Sequence, residues 1–259
     1  MRFNKYFFSL FLSTTLIVAA CNHQSHVTGV NVGYVEMNKT ELQYDSATAT
    51  ILKPYKDSLD KLMNVIVGRT DVPMPKERDK LETLLGNFVA DICLQKTLSL
   101  DYKSPEVAGT ISFFNNGGLR SSLPKGDITR GNIFELMPFD NELVIITISG
   151  KKTWELIRYA AKSGGQPMAG MKLGIHPDKT PASVLIHGQP FDSTKTYRVV
   201  TSDYLANGGD KMDFFKNPVN MQTTGILIRN AILDHCIAET KTGNTLTSQL
   251  DGRFFYETR

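Results

Sequence analysis

The sequence predicts one mixed α/β domain of the α+β class, with a mixed β-sheet flanked by helices. Residues 143–148 (LVIITI) form a nearly continuous apolar run, which is typical of a strand inside a sheet covered on both faces. Residues 81–92 have the spacing of one buried helical stripe, at Leu81, Leu84, Leu85, Phe88 and Ile92. Predicted helices and strands interleave irregularly, without an internal repeat or a Pro/Ser linker, and this favours a single domain.

The first half of the chain is predicted to alternate between strands and helices. In order, the elements are a strand over residues 26–37, a helix over 45–65, a loop over 71–75, the helix over 81–92 and a strand over 107–114. Pro54 is expected close to the first turn of its helix, or to mark an irregular start. Gly86 costs its helix about 1 kcal/mol relative to alanine, which suggests that another backbone approaches closely there.

The second half follows the same irregular alternation. After the strand over residues 143–148 we predict a helix over 151–162 with Trp154, Ile157 and Ala161 on one stripe, strands over 183–187 and 197–201, and a terminal strand over 253–256. Between the last two strands we expect a helix that begins at Thr223 or Thr224 as its cap and carries Ile228, Ala231, Ile232, His235 and Cys236.

The composition is that of an ordinary globular protein. Of the 259 residues, 41% are hydrophobic and 21% are charged, which excludes a disordered, collagen-like or mucin-like chain. Three cysteines are too few for a disulfide-rich mini-scaffold. Lys and Arg number 29 against 26 Asp and Glu, a net charge of +3. No broad basic surface therefore indicates a nucleic acid polymer as partner, and any anion site must be local.

The first 20 residues have the features of a bacterial lipoprotein signal peptide. Arg2 and Lys5 give a positive start, and the apolar run over residues 6–18 is short for a transmembrane span. The run ends in VAAC at residues 18–21, which resembles a lipobox, in which the thiol of the cysteine is acylated. An ordinary signal peptide or a buried helix that happens to meet a cysteine is the alternative.

Cleavage before Cys21 defines the predicted organisation of the mature protein. Residues 21–27 are a lipidated tether, residues 28–259 are the folded domain, and the protein is anchored in the cell envelope, in the periplasm or at the cell surface. Cys93 and Cys236 each lie in an apolar helical pattern, which indicates buried free thiols. A disulfide between them stays open, because the sequence does not place their Cα atoms.

The sequence offers little for metal or nucleophilic catalysis. A two-metal hydrolase needs roughly five or more ligands from several loops, and the chain has only five histidines: His23, His26, His176, His187 and His235. The first two lie in the predicted tether, and the last lies on an apolar helix face, where a core histidine is expected. Zinc, Walker, nucleophile-elbow and dinucleotide motifs are all missing. We therefore expect no catalytic residue, metal or cofactor in this chain.

Three loops instead carry side chains suited to a nucleoside. Residues 113–120 (FFNNGGLR) offer an amide and an arginine, residues 136–141 (LMPFDN) an aromatic ring, and residues 201–210 (TSDYLANGGD) an aromatic ring and a carboxylate. Rings stack on a base, an amide meets its edge, a carboxylate binds sugar hydroxyls and an arginine binds phosphate. Each loop alone is also explained structurally, as a turn with a surface arginine, a core ring, or an Asp that caps local backbone amides.

The order of these motifs resembles the C-terminal, substrate-specificity domain of the 5′-nucleotidase family, which includes UDP-sugar hydrolases and 2′,3′-cyclic phosphodiesterases. Five segments carry the resemblance: ETLLGNFVAD at 82–91, NNGGLR at 115–120 followed by KGDIT at 125–129, LMPFDN at 136–141, GQPMAG at 165–170, which matches only loosely, and SDYLANGGD at 202–210.

The resemblance implies a substrate-binding role for six residues. Phe139 and Tyr204 sandwich the base, Asn115 meets the base edge, Arg120 contacts ribose and phosphate, Asp210 binds the ribose hydroxyls, and Gly117 lies in the binding loop. Two departures concern charge. Members of the family usually have an arginine within three residues before Glu82, which this chain lacks, so that only Arg78 or Lys80 could replace it. Lys211 occupies a position where glycine is usual. Tyr204 replaces a common phenylalanine.

The resemblance also implies that the catalytic domain of the family is missing from this chain. Members of the family place a metallophosphatase domain before this one, and about sixty residues between Cys21 and Glu82 are too few for it. We predict the nucleotide-recognition half of a 5′-nucleotidase-type hydrolase that acts in nucleotide catabolism and pairs with a separate metallophosphatase chain, which supplies the divalent metals. A free-standing nucleotide-binding lipoprotein is the alternative, and a lipoprotein that kept the fold and lost the ligand is a third. Whether the chain alone is an enzyme stays open.

Overall fold

A computed structural model describes residue 33, residues 45–100 and residues 107–257 of the chain. The chain divides into two units, residues 1–51 and residues 52–259. The predicted signal peptide, Cys21 and the tether lie outside the described residues, as does all of the strand predicted over residues 26–37 except Gly33.

Within the described residues, helices and strands interleave irregularly, as predicted. The helices are α1 (Ser46–Met63), α2 (Leu84–Leu98), α3 (Arg130–Leu136), α4 (Gly150–Ser163), α5 (Asp203–Ala206) and α6 (Ile228–Lys241). The strands are β1 (Ile66–Thr70), β2 (Thr110–Phe113), β3 (Gly126–Thr129), β4 (Glu142–Ser149), β5 (Met168–Ala169), β6 (Met171–Ile175), β7 (Pro181–Ile186), β8 (Gln189–Pro190), β9 (Thr196–Ser202), β10 (Asn220–Leu227) and β11 (Phe254–Tyr256).

The strands of the described residues form three sheets. A five-stranded mixed sheet has the order β10-β4-β9-β2-β5, in which only β2 and β9 are parallel neighbours. A four-stranded sheet has the order β11-β6-β7-β8, with β11 parallel to β6. Strands β1 and β3 form an antiparallel pair. The predicted class, mixed α/β with mixed sheets flanked by helices, is confirmed.

The five-stranded sheet is covered on both faces. Helix α2 packs on β2, β5 and β9, whereas α4 packs on β4 and β9. Neighbouring residues of β9 point to opposite faces, so that Val199 and Val200 belong to two different hydrophobic clusters. The expectation that residues 143–148 lie inside a two-sided sheet is confirmed, because β4 runs between β10 and β9.

Helix α1 has an apolar face that the described residues do not bury. Its hydrophobic side chains, from Ile51 to Leu62, are 53–74% exposed. Asp45 caps the helix by accepting hydrogen bonds from the backbone amides of Ala47 and Thr48, each at 3.1 Å. Because this cap fixes the start, Pro54 lies in the middle of α1, and its predicted place near the first turn is wrong. No described helix is both long enough and apolar enough to cross a membrane.

Helix α2 is buried on more sides than one stripe. Ten of its residues are buried, among them the polar Asn87 and Thr97. A Cβ atom on Gly86 would lie 2.8 Å from the Thr83 hydroxyl and 3.6 Å from the Cα atom of Pro167. The tight contact at Gly86 is therefore with the side chain of Thr83, which caps α2, whereas the backbone of Pro167 lies at an ordinary van der Waals distance. The predicted close approach of another backbone is not what requires glycine here.

Two predictions for the second half are wrong in detail. Thr223 and Thr224 belong to β10 and do not cap α6, because the Thr224 hydroxyl donates to the Leu143 carbonyl oxygen at 2.6 Å and keeps the segment paired with β4. Trp154 lies off the buried stripe of α4, because its ring stacks on Phe191 at the surface with ring centroids 5.8 Å apart.

Cys93 and Cys236 are buried free thiols, and no disulfide joins them. Cys93 lies in α2 and Cys236 in α6. Burial raises the pKa of both thiols, that of Cys236 to about 12. A thiol with a raised pKa stays protonated, and only the thiolate is a nucleophile. Both side chains therefore serve as small core residues.

Candidate functional site

The first of the three loops leaves β2 and turns at once. The backbone amide of Asn116 donates to the side-chain oxygen of Gln166 at 2.8 Å, and its side-chain amide donates to the Gly165 carbonyl oxygen at 2.8 Å. Gly165 has a φ of 126°, and a Cβ atom there would lie 2.0 Å from the Lys80 carbonyl oxygen, so that only glycine fits. These hydrogen bonds fix the position of Asn116, whereas the side chain of the neighbouring Asn115 contacts the third loop.

Asn115 and Tyr204 converge on the carboxylate of Asp210. The Asn115 side-chain amide donates to Oδ2 of Asp210 at 2.5 Å, and the Tyr204 hydroxyl donates to Oδ1 at 2.9 Å. Asp210 therefore does not merely cap local backbone amides, which was the structural explanation left open by the sequence. The two loops that meet here are 95 residues apart.

The Gly-Gly-Asp turn fits against the ring of Tyr204. A Cβ atom on Gly209 would lie 2.4 Å from Cε1 of that ring, so that a larger residue would displace it. Behind the turn, the Tyr159 hydroxyl donates to the Asp210 carbonyl oxygen at 3.1 Å. Burial raises the pKa of Tyr159, and the negative charge of Asp210 raises it further. Tyr159 was not predicted, because it lies in the helical pattern of α4.

Arg120 connects the first loop to the Pro-Phe loop. Its guanidinium carbon lies 5.8 Å from the centroid of the Phe139 ring, and Nη1 donates to the Gly117 carbonyl oxygen at 3.3 Å. Phe139 is 42% exposed and Tyr204 is 47% exposed. Neither ring is a core residue, which was the alternative that the sequence left open.

Arg229 of α6 holds the Pro-Phe loop in place. Its Nη1 donates to the carbonyl oxygens of Met137 and Phe139, each at 3.3 Å, and its Nη2 pairs with Asp140 at 2.5 Å. The guanidinium also lies over the ring of Phe134, 4.4 Å from its centroid. This buried arginine was not predicted, because no sequence motif marks it among the other polar residues of α6.

Positive charge gathers beside Arg120. Burial lowers the pKa of Lys76, and the positive charges of Arg120 and Arg78 lower it further. The backbone amide of Lys76 donates to the Ser122 hydroxyl at 2.8 Å, which ties its segment to the loop that follows Arg120. Lys76 was not predicted, because it precedes the matched motifs by several residues.

The described residues do not fit a binuclear metal centre. They contain no group of three or more His, Cys, Asp and Glu side chains placed to hold a metal ion. His235 packs edge-on against Phe88, with ring centroids 6.0 Å apart, and burial lowers its pKa. His235 is therefore half-buried, at the edge of the core.

Comparison with known protein families identifies the family of this chain. Residues 66–217, more than half of the chain, match the family model described as the 5′-nucleotidase C-terminal domain. The chain belongs to this family. All three loops of the candidate site lie inside the matched range, as do Lys76, Arg78 and Tyr159.

Relatives of the 5′-nucleotidase type align with most of this chain. It is 30% identical over 221 residues to the trifunctional nucleotide phosphoesterase protein YfkN of Bacillus subtilis, which covers 78% of this chain and 14% of that protein. It is 24% identical over 194 residues to UshA of Escherichia coli, which covers 72% of this chain and 34% of that protein.

Solved structures support the fold of the 5′-nucleotidase C-terminal domain. The 5′-nucleotidase precursor of Thermus thermophilus superposes with a TM-score of 0.68 at 24% identity, over 83% of this chain and 44% of that chain. The chain thus spans less than half the length of these relatives.

Proposed function

We propose that this chain is the nucleotide-recognition half of a 5′-nucleotidase-type phosphohydrolase that acts in nucleotide catabolism and pairs with a separate metallophosphatase subunit. One observation carries the proposal: Asn115, Tyr204 and Asp210 form one hydrogen-bonded group while the rings of Phe139 and Tyr204 stay exposed. A core would have buried these rings, whereas a ligand needs their faces free.

In this proposal each side chain contacts a defined part of the nucleotide. The rings of Phe139 and Tyr204 stack on the base, and the side-chain amide of Asn115 meets its edge. Asp210 accepts hydrogen bonds from the ribose hydroxyls. Asn115 and Tyr204 support this role, because they donate to Asp210 and hold its carboxylate in one orientation.

The phosphate end of the ligand is assigned to a cluster of positive charge formed by Arg120, Arg78 and Lys76. The lowered pKa of Lys76 supports this in part: burial is its largest cause, and the charges of Arg120 and Arg78 lower it further. A dianionic phosphate between such groups relieves their mutual repulsion and forms charge-assisted hydrogen bonds. Arg78 and Lys76 thereby stand in for the arginine that the family motif has before Glu82.

The divalent metals and the hydrolytic step belong in this proposal to the partner chain. We assign no metal ligand to the present chain, since its described residues offer no fitting cluster. Its contribution is to bind the nucleotide, orient it and leave its phosphate facing the partner.

Hydrolysis of AMP with Mn²⁺ or Mg²⁺ tests the proposal. We expect the purified chain alone to bind AMP in a calorimetric titration and to release negligible phosphate. Adding a metallophosphatase chain encoded beside it, with Asp-x-His and Asn-His-Asp/Glu motifs, is expected to start metal-dependent release. Metal-dependent turnover by this chain alone, abolished by a point mutation within it, would contradict the division of labour. If the chain binds AMP but releases no phosphate, either alone or with the metallophosphatase chain, the free-standing nucleotide-binding lipoprotein would be favoured.

We further propose that Cys21 is acylated and anchors the protein in the cell envelope, since the VAAC run at residues 18–21 ends there. Cys21→Ser is expected to move the protein from the membrane fraction to the soluble fraction, because the thiol to which the lipid would be attached is lost. Fractionation with immunoblotting measures this, with Cys93→Ser as the matched control that stays in the membrane. Equal membrane association of both variants would rule out the anchor.

A further inference from the structure

A basic groove lies beside the carboxylate of the candidate site. It has a volume of about 890 Å³ and lies between α4, the turn before β7 and residues 211–214. Its positive side chains are Arg158, Lys162, Lys179 and Lys211. Tyr159 lines the groove and donates its hydroxyl to the backbone carbonyl oxygen of Asp210. The negative charge of Asp210 also raises the pKa of Tyr159, so that the groove begins next to Asp210.

Three carboxylates line the groove, and two of them, Asp178 and Asp213, are compensated by neighbouring groups, whereas the third is that of Glu155. Asp213 pairs with Lys216 at 2.6 Å, and the carboxylate of Asp178 accepts hydrogen bonds from the backbone amide and hydroxyl of Thr180 at 3.0 and 2.6 Å. In the part of the chain that the structure describes, none of the four cations forms an ion pair. The groove therefore has unpaired positive charge to offer an anion.

Lys211 brings this charge close to Asp210. It follows Asp210 directly and has a φ of 63°, a conformation that glycine adopts freely and a lysine adopts at a cost. The family motif has a glycine at this position. A lysine that keeps the conformation of a glycine adds an ammonium group at the border of the groove without changing the turn.

We propose that the groove binds a second phosphate, carried on the 2′ or 3′ oxygen of the ribose, so that nucleoside bisphosphates are among the ligands of this chain. The inference rests on the proposed function, in which Asp210 faces the ribose hydroxyls. A phosphate on one of those oxygens lies at the mouth of the groove, where Lys211 and Arg158 form charge-assisted hydrogen bonds with it.

Calorimetric titration with AMP and with adenosine 3′,5′-bisphosphate tests this at low ionic strength. We expect the wild type to bind the bisphosphate about 10-fold more tightly than AMP, with the preference shrinking as salt is added. Lys211→Gly removes the charge at a position whose backbone suits glycine, so that the variant keeps its fold. The double variant Lys211→Gly/Arg158→Gln is expected to bring the ratio of the two affinities close to one.

Lys241→Gln is the matched control, because it removes an exposed charge in the last turn of α6, outside the groove. It is expected to retain the 10-fold preference. Equal affinities of the wild type for the two ligands, or a preference that survives in the double variant, would overturn the groove proposal and leave the proposed function standing. Failure of the wild type to bind either ligand would overturn both.

Discussion

Replacing Phe139 or Tyr204 by alanine is expected to weaken the binding of adenosine or AMP by about 5- to 150-fold. Stacking on an aromatic ring contributes roughly 1–3 kcal/mol per base, which converts to this range of dissociation constants. Because the two residues are 42% and 47% exposed, removal of their rings leaves no core cavity, and the melting temperature is expected to change little. Calorimetric titration and thermal melts of the same samples measure both quantities.

Two control variants sharpen this experiment. Tyr256→Ala removes another exposed ring, in β11, and is expected to leave nucleoside affinity unchanged. Tyr204→Phe keeps the stacking face and loses the hydrogen bond to Asp210, so its effect is expected to be smaller than that of Tyr204→Ala. A fall in melting temperature with unchanged affinity in the alanine variants would mean that the rings are structural, and absent binding by the wild type would remove the base site altogether.

Arg253→Met is expected to cost about 2–4 kcal/mol of the free energy of unfolding. The arginine side chain is 13% exposed, and its two terminal nitrogens bind the carboxylate of Asp91 at 2.7 and 3.0 Å. It also pairs with Asp251 at 2.8 Å and lies 4.0 Å from Glu82, whose side chain is 9% exposed. Removing the arginine leaves these carboxylates together without their cation. Water screens Asp91 and Asp251 partly, which lowers the cost.

Urea unfolding and thermal melts measure this change. With about 2–4 °C per kcal/mol for a domain of this size, the melting temperature is expected to fall by roughly 4–16 °C. Arg69→Met is the matched control, because the Arg69–Asp127 pair at 2.9 Å is exposed on both sides and is expected to contribute less than about 1 kcal/mol. Equal losses in the two variants would show that Arg253 acts as an ordinary surface charge.

The fold was predictable where the hydrophobic pattern has one clear period. Residues 143–148 and residues 81–92 have such patterns, and both became central elements, β4 and α2. The prediction failed where pairing with a distant strand decides whether a segment forms a helix or a strand. Thr223 and Thr224 fit a helix cap and a strand equally well, and only pairing with β4 selects the strand. Short strands such as β3 and β5 were missed because four or two residues carry no period.

The candidate site was predictable only to the extent that its residues lie in motifs. Asn115, Arg120, Phe139, Tyr204 and Asp210 were named from three loops, and the structure brings these loops together. Arg229 and Lys76 were missed because their importance depends on position in space. Nothing local in α6 indicates that Arg229 holds the loop of Phe139, and nothing local near Lys76 indicates its closeness to Arg120.

The hydrogen bond between Asn115 and Asp210 joins segments 95 residues apart. A ligand bound by both segments therefore acts as a reversible cross-link that closes a long loop, and it binds the folded chain alone. At a concentration 100 times its dissociation constant, such a ligand adds about 2.7 kcal/mol to the free energy of unfolding. If the chain is cleaved between the two segments, one fragment contains Asn115 and the other contains Asp210. Nucleotide binding then reports whether the two fragments have reassembled.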